Sequence, residues 1–320
     1  MRNIFTFTAI MVVLGCGSSP TRQGANQNLN SATAELAELD FWQAYTLTST
    51  EYGTKTTVAI KGGKRVMRTN ALPNHPTGQF PNAGNPNQIS AQNVSYDIPL
   101  EPKLSGKSRW AREPGVALNG VKFEPETAER FVCESGEVYR IEAFQELVDL
   151  GLDFNHAHVQ PTGAYHYHGV PVELVKALDK GEDLVHIGFA LDGFPIYYSQ
   201  SGQYKPSFQL SEEQRTGDAC SYKNPHQSMD KELAGTNPDG TFVSDWDYVA
   251  GLGDLDECNG MEIKGQYAYF VTDEYPYMSR CLKGEFKEKR PPGPPPGGRG
   301  PDNGPPPAGH SHDGGPSHHH

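Results

Sequence analysis

The sequence predicts a mainly β protein in which antiparallel sheets are joined by long loops and a few short helices. Short runs of β-branched and aromatic residues are bounded by Gly, Pro, Asn or Asp, and helical periodicity is sparse. The 35 Gly and 26 Pro among 320 residues supply many turn formers. The predicted strands cover residues 55–60, 93–98, 116–123, 184–191, 241–249 and 266–272.

Two or three short helices complete the predicted secondary structure. Residues 142–150 carry apolar side chains at helical spacing, and Gly151 ends the run. Pro171 opens a second helix over residues 172–178, at a position where proline is tolerated. Ser211 precedes Glu, Glu and Gln, a pattern typical of a helix start.

The charge and hydropathy of the chain exclude two classes of protein. The chain has 27 Lys and Arg against 39 Asp and Glu, a formal net charge of −12, and its basic residues are scattered. Nucleic-acid binding needs a basic surface that attracts phosphates, so we expect no nucleic-acid partner. The longest apolar run covers residues 4–15, which is shorter than the roughly 20 residues of a spanning helix. We therefore expect no integral membrane segment.

The N-terminus has the pattern of a lipoprotein signal. Arg2 is followed by an apolar stretch, and a small residue directly precedes Cys16. The pattern predicts cleavage after residue 15 and lipidation of Cys16, so that the protein contacts the membrane only through its lipid anchor. The alternative is an ordinary signal peptide followed by a chance cysteine. With the anchor, the protein is expected in the cell envelope, at the outer membrane or cell surface.

Composition divides the chain into four parts. We predict a signal peptide at residues 1–15, a flexible tether at 16–40, one domain at 41–284 and a disordered Pro/Gly/His-rich tail at 285–320. Apart from the lipidated cysteine, every candidate functional residue therefore lies in the domain.

The remaining four cysteines are expected to pair, because export takes the chain into an oxidising compartment. None has the Cys-x-x-Cys spacing of a zinc–thiolate or redox site. Three connectivities are possible. We favour Cys258 with Cys281, which are close in sequence, and this leaves Cys133 with Cys220.

Four histidines crowd into residues 156–168 as two His-x-His pairs. On a strand, His166 and His168 point to one side, about 7 Å apart at the backbone, and Tyr165 and Tyr167 point to the other. A turn at residues 161–163 can fold the pair at 156 and 158 over them. This arrangement predicts a site for a transition metal, Zn or Cu.

The predicted ligand set is His158, His166 and His168, with His75 or His156 as a fourth ligand. The alternative is that the tyrosines fill the core while the imidazoles lie at the surface or bond to buried carbonyls. Asp192 could accept a ring N–H from a ligating histidine, as such carboxylates commonly do. It could equally be a plain turn residue, because Asp-Gly is a common turn dipeptide.

Two segments of the chain echo each other. Asp153 followed by Gly163-x-Tyr-x-Tyr parallels Asp256 followed by Gly265-x-Tyr-x-Tyr, and Asp192-Gly-Phe-Pro parallels Asp273-Glu-Tyr-Pro. The echo predicts two repeated halves, of which only one carries imidazoles. The alternative is chance recurrence of a short motif in a tyrosine-rich β protein.

Several strings in the chain resemble the YHYH-domain family. They include Tyr165-His-Tyr-His-Gly169, Asn155-x-x-His158-x-x-Pro161-x-Gly163, Gly188-Phe-Ala-Leu-Asp-Gly-Phe-Pro-Ile-Tyr197 and Leu255-Asp-Glu-Cys-Asn-Gly260. The resemblance covers residues 70–284, and Tyr198 stands where Gly is expected. It implies an exported or lipid-anchored protein, and the family's name describes residues rather than chemistry.

Three functions are compatible with these features. The first is a lipid-anchored protein that binds a metal through its histidines. The second is a zinc- or copper-dependent envelope enzyme in which three histidines leave a position open for an activated water. The third is a metal-free module that binds a protein or glycan partner. Metal content separates the third from the other two.

Overall fold

The computed structural model describes residues 39–287. The predicted signal peptide, Cys16, nearly all of the tether and all but the first residues of the tail lie outside the described residues. The described part is mainly β, as predicted. None of its helices is long and apolar enough to cross a membrane.

The described secondary structure consists of short strands, one α-helix and one 3-10 turn. In chain order the strands are β1 (Tyr45–Thr48), β2 (Lys55–Lys61), β3 (Lys64–Thr69), β4 (Val94–Pro99), β5 (Leu104–Trp110), β6 (Gly115–Ala117), β7 (Lys122–Phe123), β8 (Arg130–Cys133), β9 (Val138–Arg140), β10 (Ala157–Val159), β11 (Tyr165–Tyr167), β12 (Leu184–Ala190), β13 (Pro195–Ser199), β14 (Phe208–Leu210), β15 (Cys220–Lys223), β16 (Ser228–Lys231), β17 (Trp246–Tyr248), β18 (Gly260–Ile263), β19 (Gln266–Val271) and β20 (Cys281–Gly284). The helix is α1 (Val172–Leu178), and the 3-10 turn is Val243–Asp245.

The frame of the molecule is an eight-stranded sheet with the order β10-β11-β7-β6-β12-β13-β19-β18. Its strands are antiparallel except for the pairs β11–β7 and β13–β19, which are parallel. The meander β1-β2-β3-β4 shares with this sheet one apolar core, to which Met67 and Tyr167 belong. The sheet β16-β15-β8-β9 has a separate core around Phe131 and Phe242. Two strand pairs, β5–β20 and β14–β17, complete the described fold.

The eight-stranded sheet consists of two equivalent halves that meet at the antiparallel pair β6–β12. The inner hairpins, β6–β7 and β12–β13, have similar sequences at residues 115–120 and 188–193. At each turn a side-chain oxygen, from Asn119 or Asp192, accepts a hydrogen bond from the backbone N–H two residues later. The inner hairpins are therefore structural copies of each other.

The edge hairpins, β10–β11 and β18–β19, are also copies. Each is preceded by an aspartate whose Oδ2 accepts a hydrogen bond from a tyrosine of the second strand. Tyr165 donates to Asp153 at 2.7 Å, and Tyr267 donates to Asp256 at 2.8 Å. The predicted halves are thus present in the fold, and the hydrogen bond between tyrosine and aspartate lies at the equivalent position in both.

Two predicted strands and one detail of the echo differ from the structure. Residues 241–249 are not one strand, because Val243–Asp245 forms a 3-10 turn before β17. Residues 116–123 are not one strand, because Asn119 and Gly120 form a turn in which Gly120 adopts φ +90°. Glycine adopts this left-handed conformation without steric cost. Asp192 occupies the equivalent turn, so it matches Asn119 and not Asp273.

One of the three predicted helices is present as α1. Residues 142–150 are not helical, because the side-chain oxygen of Gln145 accepts hydrogen bonds from the N–H groups of Leu147 and Val148. Such local side-chain bonds compete with the helix. No helix follows Ser211 either, because the N–H of Arg215, which a helix would bond to the carbonyl of Ser211, bonds instead to the carbonyl of Thr236.

Both predicted disulfides are confirmed. Cys133 and Cys220 lie directly opposite each other on β8 and β15, and they link strands that are 87 residues apart in sequence. Cys258 is bonded to Cys281, which lies on β20. The two bonds therefore fasten different parts of the fold, one within the second core and one at the end of the central sheet.

We expect the two disulfides to differ in their effect on stability. Replacing Cys133 and Cys220 with alanine should lower the free energy of unfolding by about 4–5 kcal/mol, because the bond closes the longer loop. Replacing Cys258 and Cys281 should cost about 3–4 kcal/mol, since that loop spans 23 residues. Denaturant unfolding of the two double variants measures both values, and the reverse order would contradict the loop-closure explanation.

Candidate metal site

A single hairpin positions the clustered histidines. On β10 and β11, His158 lies directly opposite His166. His168 follows His166 by two residues, and it points to the same side because side chains alternate along a strand. Gly163 adopts φ +83° in the connecting turn, and its N–H bonds to the carbonyl of Gln160. The hairpin therefore places three imidazoles on one face.

The three imidazole rings form a compact triangle. Their centroids are 4.6–4.7 Å apart. One ring nitrogen each from His158, His166 and His168 lies within 4.8 Å of the other two, and Nε2 of His158 is 3.0 Å from Nε2 of His168. Nitrogen ligands at about 2.0–2.1 Å from a tetrahedral zinc ion are about 3.4 Å apart. The triad is therefore a candidate ligand set for one ion.

Backbone carbonyls fix the tautomer of two of the rings. Nδ1 of His158 lies 2.9 Å from the carbonyl of Leu150, and Nδ1 of His166 lies 3.2 Å from that of Ala164. A carbonyl only accepts hydrogen bonds, so each Nδ1 carries the proton and each Nε2 keeps its lone pair. The buried Nδ1 of His168 has no hydrogen-bond partner among the described residues.

Burial keeps the triad neutral. His166 and His168 are 2% and 1% exposed, and His158 is partly buried. Loss of hydration lowers the pKa of all three imidazoles, for His166 and His168 well below the ordinary value, and the neighbouring rings lower it further at these two. Neutral imidazole is the form that binds a metal.

Tyr165 and Tyr167 lie on the opposite face of the hairpin, as strand alternation predicts. Both are fully buried in the main core. The hydroxyl of Tyr167 accepts a hydrogen bond from Asn119 at 2.9 Å and lies 2.6 Å from Nε2 of His75. The tyrosines therefore support the strand that carries the histidines, and their hydroxyls bond to residues outside the triad.

The other two predicted ligands lie outside the triad. His75 bonds to Tyr167 on the opposite face, and its Nδ1 is 2.8 Å from the carbonyl of Pro76. Nδ1 of His156 is 2.9 Å from the carbonyl of Val170. The structure thus brings together three of the five predicted ligands and gives the remaining two other partners.

Two of the predicted site residues have counterparts in the other half of the sheet. His156 adopts φ +55° and Asn259 adopts φ +56°, at equivalent turns before β10 and β18. Asp192 is the counterpart of Asn119. It accepts hydrogen bonds from the hydroxyl of Tyr269 at 2.6 Å and from the N–H of Gly284 at 2.9 Å. The predicted contact between Asp192 and a ligating histidine is therefore not formed.

Three polar side chains beside the triad were missed by the sequence interpretation. Lys122 pairs directly with His166 across β7 and β11, and Glu124 continues the same face. Lys122 Nζ lies 2.7 Å from Glu124 and donates to Gln160 at 3.0 Å, and Gln160 donates to Glu124 at 2.7 Å. We call Lys122, Glu124 and Gln160 the polar ring.

The second half of the sheet replaces the histidines with apolar side chains. The positions equivalent to His158, His166 and His168 in the register of β18 and β19 are Met261, Ala268 and Phe270. These side chains belong to a small apolar cluster. The same backbone therefore forms with or without imidazoles.

Fold and site together define an internally duplicated β protein in which one half of the central sheet carries a three-histidine cluster that can bind a metal. A family model described as "YHYH protein" matches residues 95–284. The chain belongs to this YHYH family. Comparisons with curated proteins and with solved structures found no match. The two disulfides and the YHYH domain fit an extracellular protein.

Proposed function

We propose that this protein holds one transition-metal ion at the cell envelope through His158, His166 and His168. The observation that carries the proposal is the convergence of three ligand nitrogens within 4.8 Å of one another. Nitrogen ligands suit Zn²⁺ and Cu²⁺. Because burial keeps the imidazoles neutral, an ion does not have to compete with imidazolium formation at neutral pH.

The proposed location depends on the N-terminal sequence. A lipid on Cys16 would hold the domain at the outer membrane or cell surface, with the residues that follow as a tether. The paired cysteines support export, since disulfides persist in oxidising compartments.

A second candidate function is metal-dependent catalysis. The described site offers three ligands, and catalytic zinc sites have three protein ligands and one open position. A water in that position would become a nucleophile near neutral pH. Binding of azide to the Co²⁺-loaded protein, followed by its visible spectrum, tests whether the fourth position accepts an exchangeable ligand.

Elemental analysis of the exported protein tests metal binding. The tail histidines could retain metal by themselves, so the full chain is used with His310, His312, His318, His319 and His320 each replaced by Asn. The matched control adds His158→Met, His166→Ala and His168→Phe, the side chains that the second half carries. We expect one ion per chain in the parent and none in the control.

The metal content separates the two metal functions from the metal-free module. A parent without metal contradicts both metal functions and leaves the partner- or glycan-binding module. A control that still retains the ion contradicts the ligand assignment. Circular dichroism tests whether the control is folded. We expect it to fold, because its side chains already occupy the equivalent positions of the sheet.

A further inference from the structure

The polar ring lies across β11, the strand that carries His166. Gln160 follows β10 and Lys122 lies on β7, on either side of β11, and their hydrogen bond crosses this strand. His166 is directly paired with Lys122 and is 2% exposed. The polar ring is therefore adjacent to the triad, on the same face of the sheet.

Glu124 is the buried anion of the polar ring. It is 3% exposed, and its Oε1 accepts a hydrogen bond from Arg112 at 2.9 Å while Oε2 lies 2.7 Å from Lys122. Lys122 also contacts Glu113 at 2.6 Å, but the side chain of Glu113 is 39% exposed. Glu124 thus supplies the buried negative charge that balances two cations next to three neutral imidazoles.

The second half of the sheet lacks every member of the polar ring. The positions equivalent to Lys122, Glu124 and Gln160 are occupied by Pro195, Tyr197 and Ile263. Folding of the sheet therefore does not require the ring. The ring occurs in the half that has the histidines, and this association indicates a role at the triad.

Building on the proposed metal function, we propose that Glu124 sets the preference of the triad for divalent over monovalent ions. Three neutral imidazoles provide no charge for this selection. Without Glu124, the charge of Lys122, whose side chain is 12% exposed, would repel an ion in the triad across a medium of low dielectric constant. This repulsion scales with the charge of the ion, so a divalent ion loses twice the binding free energy of a monovalent one.

The test compares Zn²⁺ with Ag⁺, each added alone to the chain with the substituted tail. Glu124→Gln should lower Zn²⁺ affinity by about 10- to 100-fold, because the charge of Lys122 then acts on the ion without its buried counter-charge. The Ag⁺ affinity should fall only by the square root of that factor, about 3- to 10-fold. Glu113→Gln is the half-exposed control and should change either affinity by less than about threefold, because solvent screens its charge.

A second variant separates charge from structure. Adding Lys122→Met to Glu124→Gln removes a cation along with the anion, and it should restore most of the Zn²⁺ affinity. Equal fold-losses for Zn²⁺ and Ag⁺, unchanged affinities, or failure of the double variant to recover Zn²⁺ binding would overturn the proposal. A parent that binds no ion would contradict the metal function itself, whereas a parent that binds Zn²⁺ beside an unaffected Glu124→Gln variant would contradict only the role of Glu124.

Discussion

Replacing His166 with alanine should lower metal affinity by about 100- to 1000-fold, because the binding energy of a zinc site, roughly 10–16 kcal/mol, is shared among about four ligands. The fold should survive, since the second half of the sheet carries Ala268 at the equivalent position. Competition with a chromophoric chelator, on the chain with the substituted tail, measures the affinity. Circular dichroism monitors the fold.

The structure offers a matched control for this prediction. His156→Asn introduces the side chain that Asn259 presents at the equivalent turn, where both residues adopt a left-handed conformation. Asparagine tolerates that conformation, so the variant should fold and keep its metal affinity within about threefold. Equal affinity losses in His156→Asn and His166→Ala would show that the triad is not the ligand set.

Replacing Tyr167 with alanine should lower the free energy of unfolding by about 3–5 kcal/mol, because a fully buried aromatic ring leaves a cavity in the core. His75 and Asn119 also lose the hydroxyl to which they bond. The folded protein should still bind metal, since Tyr167 points away from the triad. Denaturant unfolding of the metal-free protein measures the loss, and a metal titration follows under native conditions.

Tyr269→Ala is the companion experiment in the other half. Tyr269 is fully buried, and its hydroxyl donates to Asp192. Its removal should cost a similar amount and leave metal affinity unchanged. A loss below about 1 kcal/mol for Tyr167→Ala, or a metal affinity that falls as far as in His166→Ala, would contradict the assignment of the two faces.

The arrangement of the histidines and tyrosines on their hairpin could be predicted, because it depends on local rules. Two His-x-His pairs separated by a turn place imidazoles on one face of a hairpin and tyrosines on the other, by strand alternation alone. The disulfides followed from export and proximity in sequence. The echo between Asp153 and Asp256 also showed the repeated edge hairpins, since each aspartate caps its own hairpin.

The rest of the site depends on contacts between distant segments. Lys122 and Glu124 reach the triad only because β7 pairs in parallel with β11, and no short-range pattern sets the register of parallel strands more than 40 residues apart. His75 was a plausible ligand by residue type. Its place on the tyrosine face depends on how the loop before β4 packs, which periodicity does not encode.

The apolar half of the duplicated sheet also has a consequence for how an ion would bind and dissociate. A backbone that closes around Met261, Ala268 and Phe270 does not need a metal to fold, in contrast to small zinc domains that unfold when the metal is removed. An ion bound by the triad could then leave without unfolding the chain. Its residence time would be governed by ligand exchange and by movement of the side chains around it. A protein that binds an ion in this way is a reversible carrier, whereas a structural metal site holds its ion for as long as the domain is folded.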